Sequence, residues 1–181
     1  MEKKENKKMK ENEPVLYNRS IRYLAAIFGV LILVFLDQFT KHLVLNNLKD
    51  RPPVVILKDI FQLEYLENRG AAFGLFQNQR IFFYLSVIII SAAAIWFYGK
   101  VPMTRRYLPL RLCAVGIIAG AWGNCIDRIR LSYVVDFLYF KLIDFPIFNV
   151  ADIYVTMSTF AMAFLICFYY KEEDFEGFFH R

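Results

Sequence analysis

The sequence predicts an all-α integral membrane protein: a four-transmembrane-helix bundle with a small β element in its first extracytoplasmic link. Three observations carry the prediction. Of the 181 residues, 57% are hydrophobic and 18% aromatic, with a mean hydropathy of +0.36, which is too apolar for an ordinary soluble domain. The apolar residues are gathered into uncharged runs instead of being dispersed. Lysines and arginines crowd at alternate ends of those runs, as they do when orientation in a bilayer is being specified.

Residues 1–20, rich in Lys, Glu and Asn, read as a disordered, charged cytoplasmic segment that cannot bury a core. A first helix is expected at about 22–45. Its basic lead looks like a secretory signal peptide, but no small-residue cleavage site follows and the apolar pattern continues through Asp37 to Leu45, so the helix is read as retained. Arg51-Pro52-Pro53 closes it. A β element follows at about 54–66: Val54–Leu57 and Ile60–Leu66 are rich in β-branched and aromatic residues, with Lys58-Asp59 as the turn. Alternation puts Phe61, Leu63 and Tyr65 on one face and Gln62 and Glu64 on a wet face. Such a sheet suits the membrane surface, although an amphipathic connecting loop fits the pattern equally.

The second helix is expected at about 81–99, because Ile81–Tyr98 is 18 residues without a charge. The third, about 110–129, rests on the 15 uncharged residues Leu112–Ile126. A bilayer crossing needs about 20, so it must run on to Asp127 or Arg128. The fourth, about 149–170, contains the uncharged Ile153–Tyr170. Residues 21–170 thus form one membrane domain, and 171–181 a cytoplasmic tail.

The formal net charge is +5, but its distribution points away from nucleic acid. Seven Lys/Arg lie in the first 22 residues, and Lys100, Arg105, Arg106 and Arg111 crowd the link between helices two and three. Both regions, and with them both termini, are therefore expected in the cytoplasm, leaving the other two links outside. Cys113, Cys125 and Cys167 lie in or beside apolar runs, no CxxC spacing occurs and only two histidines are present. No metal site and no cofactor are expected, and the cysteines read as small apolar fillers.

The polar residues cluster at the outward helix ends. Asp37 and Lys41, four apart, share a helix face and can pair. Asn68-Arg69-Gly70-Ala71-Ala72-Phe73-Gly74 leads into helix two, its small residues permitting close backbone approach. Gly116, Gly120 and Gly123 allow close helix packing. Asn124 lies one turn from Asp127 and Arg128. That trio fits a satisfied polar knot and a substrate-holding group equally well. Asn149 and Asp152 fit an N-cap and a dipole-favoured first-turn acid. Asp136 lies on the approach to that helix, and a carboxylate at membrane depth is by default a functional-site hypothesis. Two carboxylates close enough to share a proton can activate water.

Taken in order, Asp37-Gln38-x-x-Lys41, Asn68-Arg69-Gly70-Ala71-Ala72-Phe73, Gly123-Asn124-x-x-Asp127-Arg128, Val134-Val135-Asp136-Phe137 and Phe148-Asn149-x-Ala151-Asp152 resemble the lipoprotein signal peptidases (signal peptidase II), bacterial membrane aspartic proteases. The likeness covers roughly residues 24–170. It implies Asp136 and Asp152 as the catalytic dyad, and Asn68, Asn124, Arg128 and Asn149 as residues that shape the site or hold substrate. Asp37 and Lys41 look like a structural pair. Asp127 is placed in support, orienting Arg128 or the helix end, and is the alternative dyad partner.

The activity implied is endoproteolysis of diacylglyceryl-modified prolipoproteins on the N-terminal side of the lipidated cysteine, by a monomer among the lipids of the bacterial plasma membrane. One carboxylate would act as base on a water while its protonated partner polarises the scissile carbonyl, and the first outer link would close over the lipidated segment. The rival readings are a small transporter and a structural membrane subunit. A translocation path needs polar residues through the middle of the membrane, but helix two offers only Tyr84, Ser86 and Ser91.

Overall fold

The computed structural model describes residues 19–70 and 79–175, so Ala71–Gly74 of the second motif lie outside the described residues. Four long helices carry the fold: α1 (Arg19–Asn47), α2 (Arg80–Lys100), α3 (Leu108–Arg130) and α4 (Val150–Phe164), the last continued by a π-helical turn, Leu165–Tyr169. Each is long and apolar enough to cross a membrane. A three-stranded sheet lies at one end: β1 (Val54–Leu57), β2 (Phe61–Asn68) and β3 (Val134–Phe140). A short helix α5 (Glu172–Phe175) lies at the other.

Lipid as the surrounding solvent explains which helix is central. Large apolar side chains point outward along α1 (Leu24, Phe28, Leu31, Phe35) and α4 (Phe160, Phe164, and Phe168 at 78% exposure). A water-soluble fold would turn this stripe inward. By contrast α3 is mostly buried among the other helices, and its small residues permit the contact. A Cβ placed on Gly120 would lie 2.6 Å from Val155 Cγ2 of α4, and one on Gly123 would lie 2.6 Å from Asp37 Oδ2 of α1. Close backbone approach of this kind is how membrane helices pack where hydrophobic exclusion is weak.

The sheet is shared between two chain links, which the sequence reading did not foresee. β1 and β2 form the expected hairpin, Val54 opposite Leu63, turning through Lys58-Asp59-Ile60 with Asp59 at φ 59°. β3, from the link before α4, then pairs antiparallel with β2, Leu66 opposite Asp136 and Asn68 opposite Val134. The expected wet face also needs correction. Gln62 is only 8% exposed, and its amide donates to Glu64 Oε2 at 2.8 Å. All four residues of β1 are exposed despite being apolar.

Val44 and Leu48 at the end of α1 pack beneath Tyr133, just ahead of β3, and Val135 and Phe137 within it, fastening the sheet to the bundle. Phe148 exchanges main-chain hydrogen bonds with Leu138 (2.8 and 3.1 Å), which carries the start of α4 alongside β3. At the opposite end Val101, Tyr107, Leu110 and Tyr170 form a separate cluster. There Arg106 grips Asp174 of α5 with two hydrogen bonds, at 3.2 and 2.8 Å.

Candidate active site

The pairing of β2 with β3 builds one half of the site. Residues 66 and 68 share a strand face, and the diagonal neighbours of an antiparallel pair lie within side-chain reach. Asn68, one pleat beyond Asp136, accordingly donates its amide Nδ2 to Asp136 Oδ2 at 2.8 Å. Asp136 is 1% exposed. Burial, reinforced by the Asp152 charge, pushes its carboxyl up to about 7, against the lowering effect of the Asn68 and Asn149 amides.

The start of α4 builds the other half. Asn149, fully buried, is the N-cap, and with Asp152 it makes both arms of a capping box. Asp152 N–H donates to Asn149 Oδ1 at 3.1 Å, and Asn149 N–H donates to Asp152 Oδ2 at 3.0 Å. The capping account of Asp152 is therefore correct, and it does not exhaust the residue. Its other oxygen accepts from Asn124 Nδ2 at 2.7 Å, and its side chain lines a cavity together with Asp136.

Asn149 and Asn124 tie the two carboxylates together. Asn149 Nδ2 donates to Asp136 Oδ1 at 2.6 Å and to Asn124 Oδ1 at 3.0 Å. A continuous chain of amide hydrogen bonds thus runs from one carboxylate to the other.

The cavity measures about 750 Å³. Asn68, Asn124, Arg128, Asp136 and Asp152 supply its polar wall, and residues such as Phe148, Ile153 and Met157 its apolar one. Arg128 is held by the Gly70 carbonyl (2.9 Å), the Asn124 carbonyl (3.3 Å) and the face of Phe83, 4.0 Å from its centroid. This clamp joins α3 to the end of β2 and the start of α2.

Asp37, Lys41 and Asp127 stand behind the polar wall. Lys41, 2% exposed, lies 2.9 Å from Asp37 Oδ2, 3.0 Å from Asp127 Oδ2 and 2.9 Å from Asn124 Oδ1. Asp127 also accepts from Gln38 Nε2 at 2.8 Å and from the Val135 N–H at 3.1 Å. Its side-chain partners therefore lie on α1 and β3; of the two supporting tasks expected of it, orienting Arg128 or the helix end, no hydrogen bond to Arg128 is formed among the described residues. Helical geometry explains this, since residue 127 is rotated away from the face shared by 124 and 128.

Three contributors were missed in the sequence. Gln38 bridges α1 to Asp127 and to the Gly123 carbonyl (3.1 Å). Ala151, fully buried, donates its N–H to Asp37 Oδ1 at 2.9 Å, and Phe83 stacks on Arg128. Gln38 and Ala151 lay inside the quoted motifs, but nothing in their side-chain chemistry advertised a role. Among the described residues no cluster of three or more His, Cys, Asp or Glu is placed to hold a metal ion.

Comparison with known proteins adds an independent line. The pattern of the family described as "Signal peptidase (SPase) II" matches residues 29–168. A lipoprotein signal peptidase of Streptococcus thermophilus (strain CNRZ 1066) is 40% identical over 154 residues, covering 85% of this chain and 97% of that protein. One from Caldanaerobacter subterraneus subsp. tengcongensis is 41% identical over 144 residues, covering 79% and 96%. A solved structure described as a bacterial membrane enzyme, determined by the in meso method at 2.3 Å resolution, superposes with a TM-score of 0.70 at 28% identity, covering 82% of this chain and 92% of that one.

Proposed function

This chain belongs to the signal peptidase II family and is a lipoprotein signal peptidase, a multi-pass membrane protease; from that premise we propose that Asp136 and Asp152 are the pair that activates water for peptide hydrolysis. The observation that carries the assignment is that both carboxylates open onto one cavity while a shared pair of asparagine amides joins them.

The environments of the two differ in the way a dyad needs. Asp136, almost fully buried and pushed up to about 7, is suited to keep a proton. Asp152 accepts from an amide and a main-chain N–H at a helix start, where negative charge is favoured. In this scheme Asp152 takes a proton from the attacking water. Asp136 donates a hydrogen bond to the scissile carbonyl, whose oxygen gains negative charge as the tetrahedral intermediate forms. Asn68, Asn124, Arg128 and Asn149 hold the two in place.

The substrate is a prolipoprotein bearing a diacylglyceryl cysteine, cut on the N-terminal side of that cysteine. A cavity with one polar and one apolar wall suits a segment that is peptide at one end and lipid at the other. Four spans with the basic links on one side support a plasma-membrane enzyme with both termini cytoplasmic and the site on the outer face. We further propose that residues 21–170 form the catalytic unit, that it acts as a monomer, and that the β1–β2 hairpin covers the lipidated segment.

The test is cleavage of a diacylglycerylated prolipoprotein peptide by the purified protein and its isosteric variants. Asp136→Asn and Asp152→Asn should each abolish turnover, while Asp127→Asn should leave it measurable. Loss of turnover in Asp127→Asn with retention in Asp136→Asn would reverse the assignment.

A further inference from the structure

We propose that Lys41 is a positioning residue for the reaction: it locks the side-chain amide of Asn124 in one orientation and thereby keeps a hydrogen-bond donor, never an acceptor, on Asp152. This rests on the dyad reading above and adds to it a residue that does not line the cavity.

Three distances define the geometry. Lys41 Nζ donates to Asp37 Oδ2 (2.9 Å), Asp127 Oδ2 (3.0 Å) and Asn124 Oδ1 (2.9 Å). An ammonium has three donors and no acceptor, so all of its capacity is used and every contact has a fixed sense. Asn124 Oδ1 also receives Asn149 Nδ2 at 3.0 Å, while Asn124 Nδ2 donates to Asp152 Oδ1 at 2.7 Å.

Rotating the Asn124 amide by half a turn would set its NH2 against the ammonium and the Asn149 amide, donor facing donor. It would also set its carbonyl oxygen against the Asp152 carboxylate. Lys41 and Asn149 together forbid that rotation, and of the two only Lys41 can never become an acceptor. Asp152 is thus guaranteed a donor on Oδ1 and a second, the Asn149 N–H, on Oδ2. Asp136 also has an amide donor on each oxygen, at 2.8 and 2.6 Å, so it is the deeper burial of Asp136 that suits it to keep the proton. The orientation secured by Lys41 keeps the Asn124 carbonyl oxygen from facing the Asp152 carboxylate.

The charged groups around this chain are Asp37 and Lys41 on α1, Asp127 and Arg128 on α3, Asp136 on β3 and Asp152 on α4. Arg128 spends its hydrogen bonds on the Gly70 and Asn124 carbonyls of the main chain, so it does not orient the Asn124 side chain. A purely structural role for Lys41, neutralising Asp37 and Asp127, predicts fewer folded molecules of unchanged chemistry. A positioning role predicts changed chemistry in the molecules that fold.

The experiment compares wild type, Lys41→Met and the double variant Asp37→Asn/Lys41→Met, the last relieving the carboxylate left unpaired on α1. Folded protein from each is assayed for kcat, KM and their pH dependence on a diacylglycerylated peptide. The inference expects kcat lower by roughly 10- to 100-fold, the scale of one lost hydrogen bond to a charged group, with KM within about twofold. For Lys41→Met it also expects the kcat profile to move to higher pH by about half a unit or more, because a fixed positive charge has left the neighbourhood; the double variant, which loses a negative charge as well, should show the lower kcat with a smaller displacement. Superimposable normalised profiles for wild type and Lys41→Met, or a wild-type kcat in the double variant, would overturn it. So would failure of both variants to fold, since the pair would then be holding the bundle and not the amide. A wild-type protein that does not cleave the peptide would sink the dyad reading and this inference with it; cleavage with an unmoved profile would sink the inference alone.

Discussion

Asn149 Nδ2 lies 2.6 Å from Asp136 Oδ1, while the main-chain N–H of the same asparagine lies 3.0 Å from Asp152 Oδ2. One residue therefore caps a helix and touches both carboxylates, so the geometry of the pair is set by the same hydrogen bonds that start α4.

Replacing Asn149 tests that coupling. Asn149→Ala removes the N-cap acceptor, the donor to Asp136 and the donor to Asn124 together. Leaving a buried polar group without its hydrogen-bond partner costs about 1–3 kcal/mol, and three such bonds go together, so kcat/KM on a diacylglycerylated peptide should fall at least roughly 10-fold. Helix content by circular dichroism should change little, because tertiary packing supports most of the helix. Activity equal to wild type would mean that the bridge has no part in turnover.

The proton on Asp136 predicts a pH dependence with a definite sign. Its carboxyl rises from 3.8 to about 7 on folding. Between those values the folded state holds a proton that the unfolded chain has released, so stability falls as pH rises through this window and levels off above about 7. Below pH 3.8 this contribution is fully present. Thermal unfolding in detergent should show wild type losing stability relative to Asp136→Asn between about pH 4 and 7. The kcat of the wild-type enzyme should decline as pH passes about 7, where Asp136 gives up the proton the scissile carbonyl needs. Parallel stability curves for the two proteins would contradict the burial-raised carboxyl.

Gly123 predicts a packing effect felt at the site. A Cβ there would lie 2.6 Å from Asp37 Oδ2 and 3.0 Å from the Ala151 side chain, and Asp37 is fully buried with no room to retreat. Gly123→Ala should destabilise the bundle by about 1–3 kcal/mol, the usual cost of overpacking a dense core, read as a lower unfolding temperature. Because Asp37 also accepts the Ala151 N–H, displacement of Asp37 should carry over to the start of α4, and activity should fall together with stability. An unchanged unfolding temperature would show that α1 and α3 separate without penalty.

Much of the fold was legible because a membrane span is the strongest pattern a sequence can carry: a run of about 20 apolar residues has few alternative uses. The β1–β2 hairpin was legible for a local reason too, two β-rich runs around a short turn. β3 was not. Val134, Val135, Asp136 and Phe137 are all buried, so no alternation of wet and dry residues marks them as a strand, and the partner that makes them one lies far back in the chain. Gln62 misled for a related reason: a polar residue at a period-two position reads as solvent-facing, yet this one is buried with its amide satisfied by Glu64.

The sequence by itself determined the four spans, the order of the polar motifs along them and the residue types at each helix end, because hydrophobic run length and one-turn spacing are local properties. Only the tertiary structure decided which groups meet. It placed Asn68 on Asp136 through a strand pairing between distant links, gave Asp152 a cap and a cavity at once, and turned Asp127 toward Lys41 and the Val135 N–H. Those outcomes depend on strand register and on the direction in which each side chain leaves its helix, and neither is encoded in spacing along a single segment.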